Sequence, residues 1–349
     1  MSSHAQRAVI FGLAGPELSS AEKKLFQQCP PWGFILFARN ISNARQLCEL
    51  TDALKELTGN PHTPILIDQE GGRVARLKPP LAKTHPPAAL YGKLYDIDPK
   101  LGMHAARLGG RLIASELKTF GFNIDCLPCL DLGLTQTSDV IGDRAYGKTA
   151  EKVAALGHAA AEGLMDIGVL PVIKHLPGHG RGQVDSHFEL PIVDTSLSEL
   201  EKTDFESFRL CSILPLGMTG HLKFTSIDEH NVSTFSQIII SQVIRGYINF
   251  NGLLMSDDIS MQALTGNIQD RAINSLAAGC DLVLHCNGNM SEMNLLADHL
   301  PDLSSDAKQR AQRVENLLST PVRDYDILKT QEDWGEIISK HFPEAADAL

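Results

Sequence analysis

Short apolar runs recur along the chain, each bounded by turn-forming residues and followed by a segment with helical periodicity. Most of these runs are continuously apolar, which is typical of strands covered on both faces by other elements. Strands that alternate with helices indicate either a doubly wound sheet or a closed barrel. The eight predicted strands are Ala8–Leu13, Gly33–Phe37, Pro64–Ile67, Phe122–Leu130, Val169–Ile173, Leu214–Thr219, Gly252–Met255 and Asp281–His285.

Several of the intervening segments have the spacing and the caps of amphipathic helices. Asn43 can cap the first, and Gln46 is placed to reach back over its first turn. The count of eight strands, and the absence of a dinucleotide-binding glycine motif after the first of them, favour closure. We therefore predict a single (β/α)8 barrel of the TIM type over residues 1–319, with a helical C-terminal tail over residues 320–349. The other predicted helices are Ala105–Phe120, Thr149–Met165, Leu197–Leu210 and Ile268–Ala278.

The composition excludes several classes of partner. Hydrophobic residues make up 43% and charged residues 21% of the 349 positions, as in ordinary globular proteins. A net charge of −11 without a basic stripe argues against nucleic acid, whose binding requires clustered Lys and Arg. No run of eighteen apolar residues occurs, so we expect no membrane span. The run at Ala8–Leu13 is interpreted as a barrel strand and not as a signal peptide.

The cysteine pattern favours the cytoplasm. The seven cysteines are an odd number and lie mostly in apolar runs, as expected of reduced thiols. Cys126 and Cys129 have C-x-x-C spacing, but no second pair follows at the spacing of a zinc site. We therefore interpret both as buried strand residues.

In a (β/α)8 barrel the active site lies at the carboxyl ends of the strands, so polar residues just after apolar runs are the candidates. Asp68 ends the third strand, and a glycine pair then precedes Arg73 and Arg76. A carboxylate and a guanidinium that converge there could bind sugar hydroxyls. The loop Asp139–Gly147 offers a further cation, Arg144.

The most informative segment follows the fifth predicted strand. Lys174 and His175 end a buried strand, where they are costly unless they have partners or a task. A loop rich in Gly and Pro then leads to Asp185 and His187. An Asp near a His can fix the ring's tautomer, so we interpret His187 as a proton carrier and Asp185 as its orienting partner.

Two other interpretations of this segment remain open. His175, His179, Asp185 and His187 could be metal ligands, although they lack a dedicated spacing motif. The glycines could instead bind phosphate, although no helix is predicted directly after them.

Two adjacent acids, Asp257 and Asp258, follow the seventh predicted strand. Adjacent side chains on an extended segment point to opposite sides, so only one of them is expected to face the barrel axis. A strand-end carboxylate is the nucleophile type that retaining glycosidases use. The other acid can cap the following helix.

These motifs resemble those of the family 3 glycoside hydrolases, and among them the NagZ-type β-N-acetylhexosaminidases. The resemblance is carried by the segments Phe34–Asn40, Lys174–His187 and Met218–His221. It implies that Asp257 is the nucleophile, with Asp258 as the alternative, and that His187 is the acid/base with Asp185 as its dyad partner. It also implies a set of residues that bind N-acetylglucosamine: Asp68, Arg76, Arg144, Lys174 and His175.

The resemblance further implies the reaction. It predicts a cytoplasmic, metal-independent retaining hydrolase that uses no cofactor and removes terminal β-linked N-acetylglucosamine from small sugars or muropeptides during cell-wall recycling. The alternatives are a family 3 β-glycosidase of broader specificity, a glycoside phosphorylase, a metallohydrolase and a non-catalytic sugar-binding barrel.

Overall fold

Eight parallel strands form a closed barrel, as predicted. The computed structural model describes residues 6–134, 140–184, 186 and 189–346. Each strand pairs with its neighbours in chain order, and the last strand pairs with the first. The strands are β1 (Arg7–Gly12), β2 (Pro31–Leu36), β3 (Ile65–Ile67), β4 (Ile124–Asp125), β5 (Leu170–Leu176), β6 (Leu216–Thr219), β7 (Leu253–Asp258) and β8 (Leu282–His285).

Helices occupy the connections between successive strands and surround the barrel. A π-helix, Ile239–Tyr247, lies between β6 and β7. The α-helices are α1 (Ser20–Gln28), α2 (Ala44–Thr58), α3 (Ala88–Ile97), α4 (Pro99–Thr119), α5 (Ala150–Ile167), α6 (Leu197–Lys202), α7 (Asp204–Leu210), α8 (Ile268–Ala278), α9 (Met290–His299), α10 (Ser305–Ser319), α11 (Ile327–His341) and α12 (Pro343–Ala346).

The strands are continuously apolar because alternate side chains enter two different cores. On β1, Val9 and Phe11 pack outward beneath the helices, whereas Ala8 and Ile10 pack against the residues that fill the barrel. Both sets are buried, so neither face of the strand needs polar residues. This double burial fixes the register of the strands and therefore the position of their carboxyl ends.

Two predicted elements differ from the structure. The predicted strand Phe122–Leu130 is regular only over Ile124–Asp125, since Pro128 has no N–H to donate to a ladder. The predicted helix Leu197–Leu210 is divided into α6 and α7 at Thr203. The Thr203 hydroxyl donates to the Asp204 carboxylate, which also accepts a hydrogen bond from Arg181.

The chain after α10 contains the predicted tail helix, α11. It packs mainly against α4, and its residues Trp334 and Ile338 are buried in the core that includes Tyr91 of α3. Within the described part of the chain, no helix is both long enough and apolar enough to cross a membrane.

Candidate active site

A cavity of about 290 Å³ opens at the carboxyl end of the barrel. Side chains at or just beyond the ends of β3, β5, β6, β7 and β8 reach it, which is where barrel enzymes place their chemistry. The structure thus brings together, in one cavity, eight residues that the sequence singled out: Asp68, Arg73, Arg76, Arg144, Lys174, His175, Asp257 and Asp258.

The two residues of the predicted dyad, Asp185 and His187, lie outside the described residues. Ser186, which lies between them in the chain, contacts His179, and His179 in turn packs against His175 in the wall of the cavity. The His179 ring packs edge-to-face on His175, with ring centres 5.7 Å apart, and the Ser186 hydroxyl lies 3.4 Å from His179 Nε2.

Five charged side chains form an alternating chain of ion pairs along the cavity. Lys174 Nζ lies 2.9 Å from an Asp68 carboxylate oxygen and 2.6 Å from Glu70. Arg76 lies 3.0 Å from the other Asp68 oxygen, and Arg144 donates to both Glu70 oxygens at 2.8 and 2.9 Å. Because cations and anions alternate, groups that donate hydrogen bonds and groups that accept them lie side by side, which suits a ligand rich in hydroxyl groups.

These contacts keep the carboxylates ionised although they are buried. Burial alone would raise the pKa of Glu70, but Arg144 and Lys174 lower it to about 2. Burial opposes the ionisation of Asp68 in the same way, and Lys174 and Arg76 hold its pKa well below the ordinary value. The pKa of Lys174 is raised by both carboxylates against the effect of its burial. All three groups are therefore charged at neutral pH.

A tight hairpin brings Asp68 and Arg76 together. Gln69–Gly71 pairs with Val74–Ala75, and the turn between them uses Gly71 and Gly72 at φ values of +93° and +56°. Such values favour glycine, and a Cβ on Gly71 would also overlap the backbone of Pro86. The glycine pair in the sequence is thus explained by the geometry of this turn.

The adjacent acids of β7 have different surroundings. The Asp258 carboxylate accepts hydrogen bonds from Cys286 N at 3.1 Å, Ser260 N at 3.0 Å and the Ser260 hydroxyl at 2.6 Å. His221 is fully buried, and its Nε2 donates to the Asp258 carbonyl at 3.0 Å. Asp258 therefore joins the ends of β7 and β8. The Asp257 carboxylate accepts the amide of Asp258 at 2.8 Å, and both residues line the cavity.

Two acids that organise the site were not predicted from the sequence. Glu70 lies two residues after Asp68 and is buried between Lys174 and Arg144. Asp131 directly follows the apolar segment that ends at Leu130, and its carboxylate lies 2.6 Å from His175 Nδ1. The signal for Asp131 was present, because an acid directly after a buried strand is the same pattern that identified Asp68 and Asp257.

The thiols near the site are buried and free. All seven cysteines are unpaired, and burial raises the pKa of Cys126 and Cys129 well above the ordinary value. Cys129, Asp131 and His175 lie close enough together to be considered as metal ligands. Asp131 accepts hydrogen bonds from both the Cys129 thiol and the His175 ring.

We expect the substitution Glu70→Gln to flatten the dependence of stability on pH. The folded-state pKa of about 2 lies below the ordinary value of 4.5, so the stabilisation by Glu70 is present above pH 4.5 and is lost as the pH falls toward 2. Glutamine carries no charge at any pH. Between pH 6 and pH 3, the free energy of unfolding measured in urea should fall by about 2 kcal/mol more in the wild type than in Glu70→Gln.

The matched control is Glu49→Gln, which removes an exposed partner of Arg45 on α2. It should leave the dependence of stability on pH unchanged, because exposed pairs contribute little. Equal pH dependence in wild type and Glu70→Gln would contradict the assignment of Glu70 to this buried network.

Comparison with known proteins identifies the family. The family model described as the glycosyl hydrolase family 3 N terminal domain matches residues 11–319. A β-hexosaminidase from Nitrosomonas eutropha is 37% identical over 294 residues, which cover 82% of this chain and 83% of the relative. Another, from Alkalilimnicola ehrlichii, is 39% identical over 298 residues, with 84% of each chain covered.

A solved structure shares the fold over nearly the whole chain. NagZ from Neisseria gonorrhoeae, in complex with N-trifluoroacetyl-D-glucosamine, superposes with a TM-score of 0.85 at 32% identity, covering 96% of this chain and 99% of its own. The family match, the relatives and this structural likeness agree with the resemblance noted in the sequence. The chain therefore belongs to glycosyl hydrolase family 3, in the group that contains NagZ and the β-hexosaminidases, and it is a glycoside hydrolase.

Proposed function

We propose that the chain is a retaining exo-β-N-acetylglucosaminidase that acts by double displacement. The observation that carries the proposal is that Asp257 and the network around Lys174 line one cavity, while the Asp258 carboxylate, which also lines it, is held by the backbone after β8. A carboxylate opposite a cluster of donors for sugar hydroxyls suits glycoside cleavage.

The first step forms a covalent intermediate. The Asp257 carboxylate attacks the anomeric carbon from the α face, the glycosidic bond breaks, and His187 protonates the departing oxygen. In the second step the same His removes a proton from water, which attacks the anomeric carbon and releases Asp257. The sugar product retains its β configuration. Asp185 holds the His187 ring in the tautomer that both steps require.

The charged network positions the sugar. Asp68 accepts hydrogen bonds from hydroxyl groups, whereas Arg76, Arg144 and Lys174 donate them, and His175 contributes a further contact. The ion pairs hold each of these side chains in one position before the sugar binds, which reduces the entropy lost on binding.

The substrate class is supported by the size of the cavity and by the comparison. About 290 Å³ suits one terminal sugar unit and not a long stretch of polymer. NagZ of Neisseria gonorrhoeae binds a glucosamine derivative acylated on nitrogen. We extend the proposal to muropeptides in the cytoplasm as the physiological substrates, and the seven free thiols suit a reducing compartment.

The experiment compares release of nitrophenol from the β-N-acetylglucosaminide and from the β-glucoside, each with excess EDTA. We expect the acetylated sugar to be preferred by at least about 100-fold in kcat/KM, since a site that bonds the acetamide rejects a sugar that lacks it. EDTA should have no effect.

Other outcomes of this experiment favour the alternatives. Equal rates on both sugars would indicate a broader β-glycosidase, and a sugar phosphate formed in phosphate buffer would indicate a phosphorylase. Loss of activity with EDTA would indicate a metallohydrolase. No turnover of either sugar would leave a sugar-binding barrel.

A further inference from the structure

A fully buried carboxylate lies behind His175, and its side chain is nowhere exposed to solvent. We infer that this residue, Asp131, is a positioning residue that fixes the tautomer and the ring orientation of His175. The inference rests on the proposed function, because the proposed function is what assigns to His175 a contact with the sugar. It assigns a role at the cavity to a carboxylate–histidine pair that is distinct from the predicted pair of Asp185 and His187.

Donors surround the Asp131 carboxylate. One oxygen accepts the amide of His179 at 2.6 Å, and the other lies 2.6 Å from His175 Nδ1. The amide of His175 lies 3.2 and 3.3 Å from the two oxygens, and the Cys129 thiol lies 3.3 Å from one of them. Backbone amides can only donate, so Asp131 acts as an acceptor and not as an acid.

The donors around Asp131 determine which ring nitrogen of His175 carries the proton. Because Asp131 accepts from its other neighbours, the short contact to the ring requires a proton on Nδ1. The opposite ring atom, Nε2, has no hydrogen-bond partner among the described residues, and His175 lines the cavity. Nε2 is therefore the atom presented to the ligand, with an orientation set by a bond that the ligand does not touch.

The neighbouring histidine does not compete for this role. His179 is buried, and burial lowers its pKa to about 4 against the effect of Asp131, so the ring is neutral at pH 7. It contacts Asp131 only through its backbone amide. The remaining alternative is a purely structural role, in which Asp131 only stabilises the fold by accepting hydrogen bonds from the backbone amides of His175 and His179.

A double-mutant cycle separates positioning from a purely structural role. Asp131→Asn keeps an oxygen for the backbone amides but can present an NH2 group to Nδ1, which would move the ring proton to Nε2. In the wild-type background, we expect Asp131→Asn to reduce kcat/KM for the N-acetylglucosaminide by about 100-fold. In a His175→Ala background it should reduce kcat/KM by less than about 3-fold. If the loss in the double variant equals the product of the losses in the two single variants, Asp131 acts on the fold and not through His175.

The control variant is Asp281→Asn, which neutralises another buried carboxylate, bound by Arg245 and Arg310 and absent from the cavity lining. It should lower the melting temperature without changing kcat/KM of the folded protein. A large loss of kcat/KM in this variant would show that activity responds to any buried charge, and it would overturn the interpretation of the cycle.

A measurement that needs no turnover closes the test. Nitrogen-15 NMR of the histidine-labelled full chain, with His175 assigned from the spectrum of His175→Gln, reports which ring nitrogen carries a proton. We expect Nδ1 of His175 to be protonated at pH 7. A bare Nδ1 would overturn the inference even if the enzyme is active. A protonated Nδ1 in a protein that cleaves no N-acetylglucosaminide would instead refute the proposed function alone.

Discussion

Replacing Asp257 by alanine is expected to lower kcat/KM for the β-N-acetylglucosaminide by about 10⁴-fold or more, as removal of a covalent nucleophile does in other enzymes. The carboxylate lines the cavity at the end of β7, whereas three hydrogen bonds hold the Asp258 carboxylate, which lines the same cavity. The measurement is steady-state kinetics together with thermal unfolding, which checks that the variant is folded.

The adjacent acid provides the comparison. Asp258→Asn weakens the hydrogen bonds to Cys286, which connects β7 with β8, and to Ser260. It should therefore mainly lower the melting temperature, and kcat/KM should fall by about 10-fold at most. If Asp258→Asn abolishes activity while Asp257→Ala retains it, the assignment of the nucleophile is reversed.

Replacing His187 by alanine is the second large change. General acid catalysis contributes about 10² to 10⁴-fold, and a poor leaving group depends on it most. We expect a loss in that range for a disaccharide substrate and a loss of about 10-fold or less for a dinitrophenyl glycoside, whose leaving group departs without protonation. The measurement is a plot of log kcat/KM against the pKa of the leaving group for a series of aryl glycosides.

The slope of that plot distinguishes two roles. A steeper slope in His187→Ala than in the wild type is expected, because the leaving group must then carry the full negative charge. Equal losses across the series would contradict the acid role and would leave His187 as a residue that binds the sugar.

The fold could be predicted from the sequence because local and global signals agree. Strands such as β1 are buried on both faces, which makes them apolar throughout, and α8 has the same bounds in the structure as in the prediction. The errors occurred where a single residue overrides the pattern. Pro128 interrupts the ladder beyond β4, and the non-helical backbone of Thr203 (φ −126°, ψ −87°) divides a helix that periodicity alone predicts as continuous.

The residues of the site could be predicted where they directly follow an apolar run. Asp68, Lys174, His175 and Asp257 all have this signature, and the structure places them around one cavity. The choice between Asp257 and Asp258 could not be made from spacing, because it depends on which carboxylate bonds the backbone of β8.

Some contacts within the site exist only in the folded barrel, and the sequence alone did not identify them. Glu70 looks like part of a charged turn until the fold brings Lys174 and Arg144 against it, from positions about a hundred and about seventy residues further along the chain. Asp131 directly follows an apolar run, as Asp68 and Asp257 do, but its contact with His175 joins residues 44 positions apart and forms only in the fold. Long-range pairs of this kind are properties of the folded barrel.

The most direct test of the proposed mechanism is rescue of Asp257→Ala by sodium azide. The small anion can occupy the space of the missing carboxylate and attack the anomeric carbon from the same face, with His187 free to protonate the leaving group. The proposed mechanism predicts an azide-dependent rate and a product that NMR identifies as the α-glycosyl azide. A β-glycosyl azide, or turnover of Asp257→Ala at the wild-type rate without azide, would contradict it.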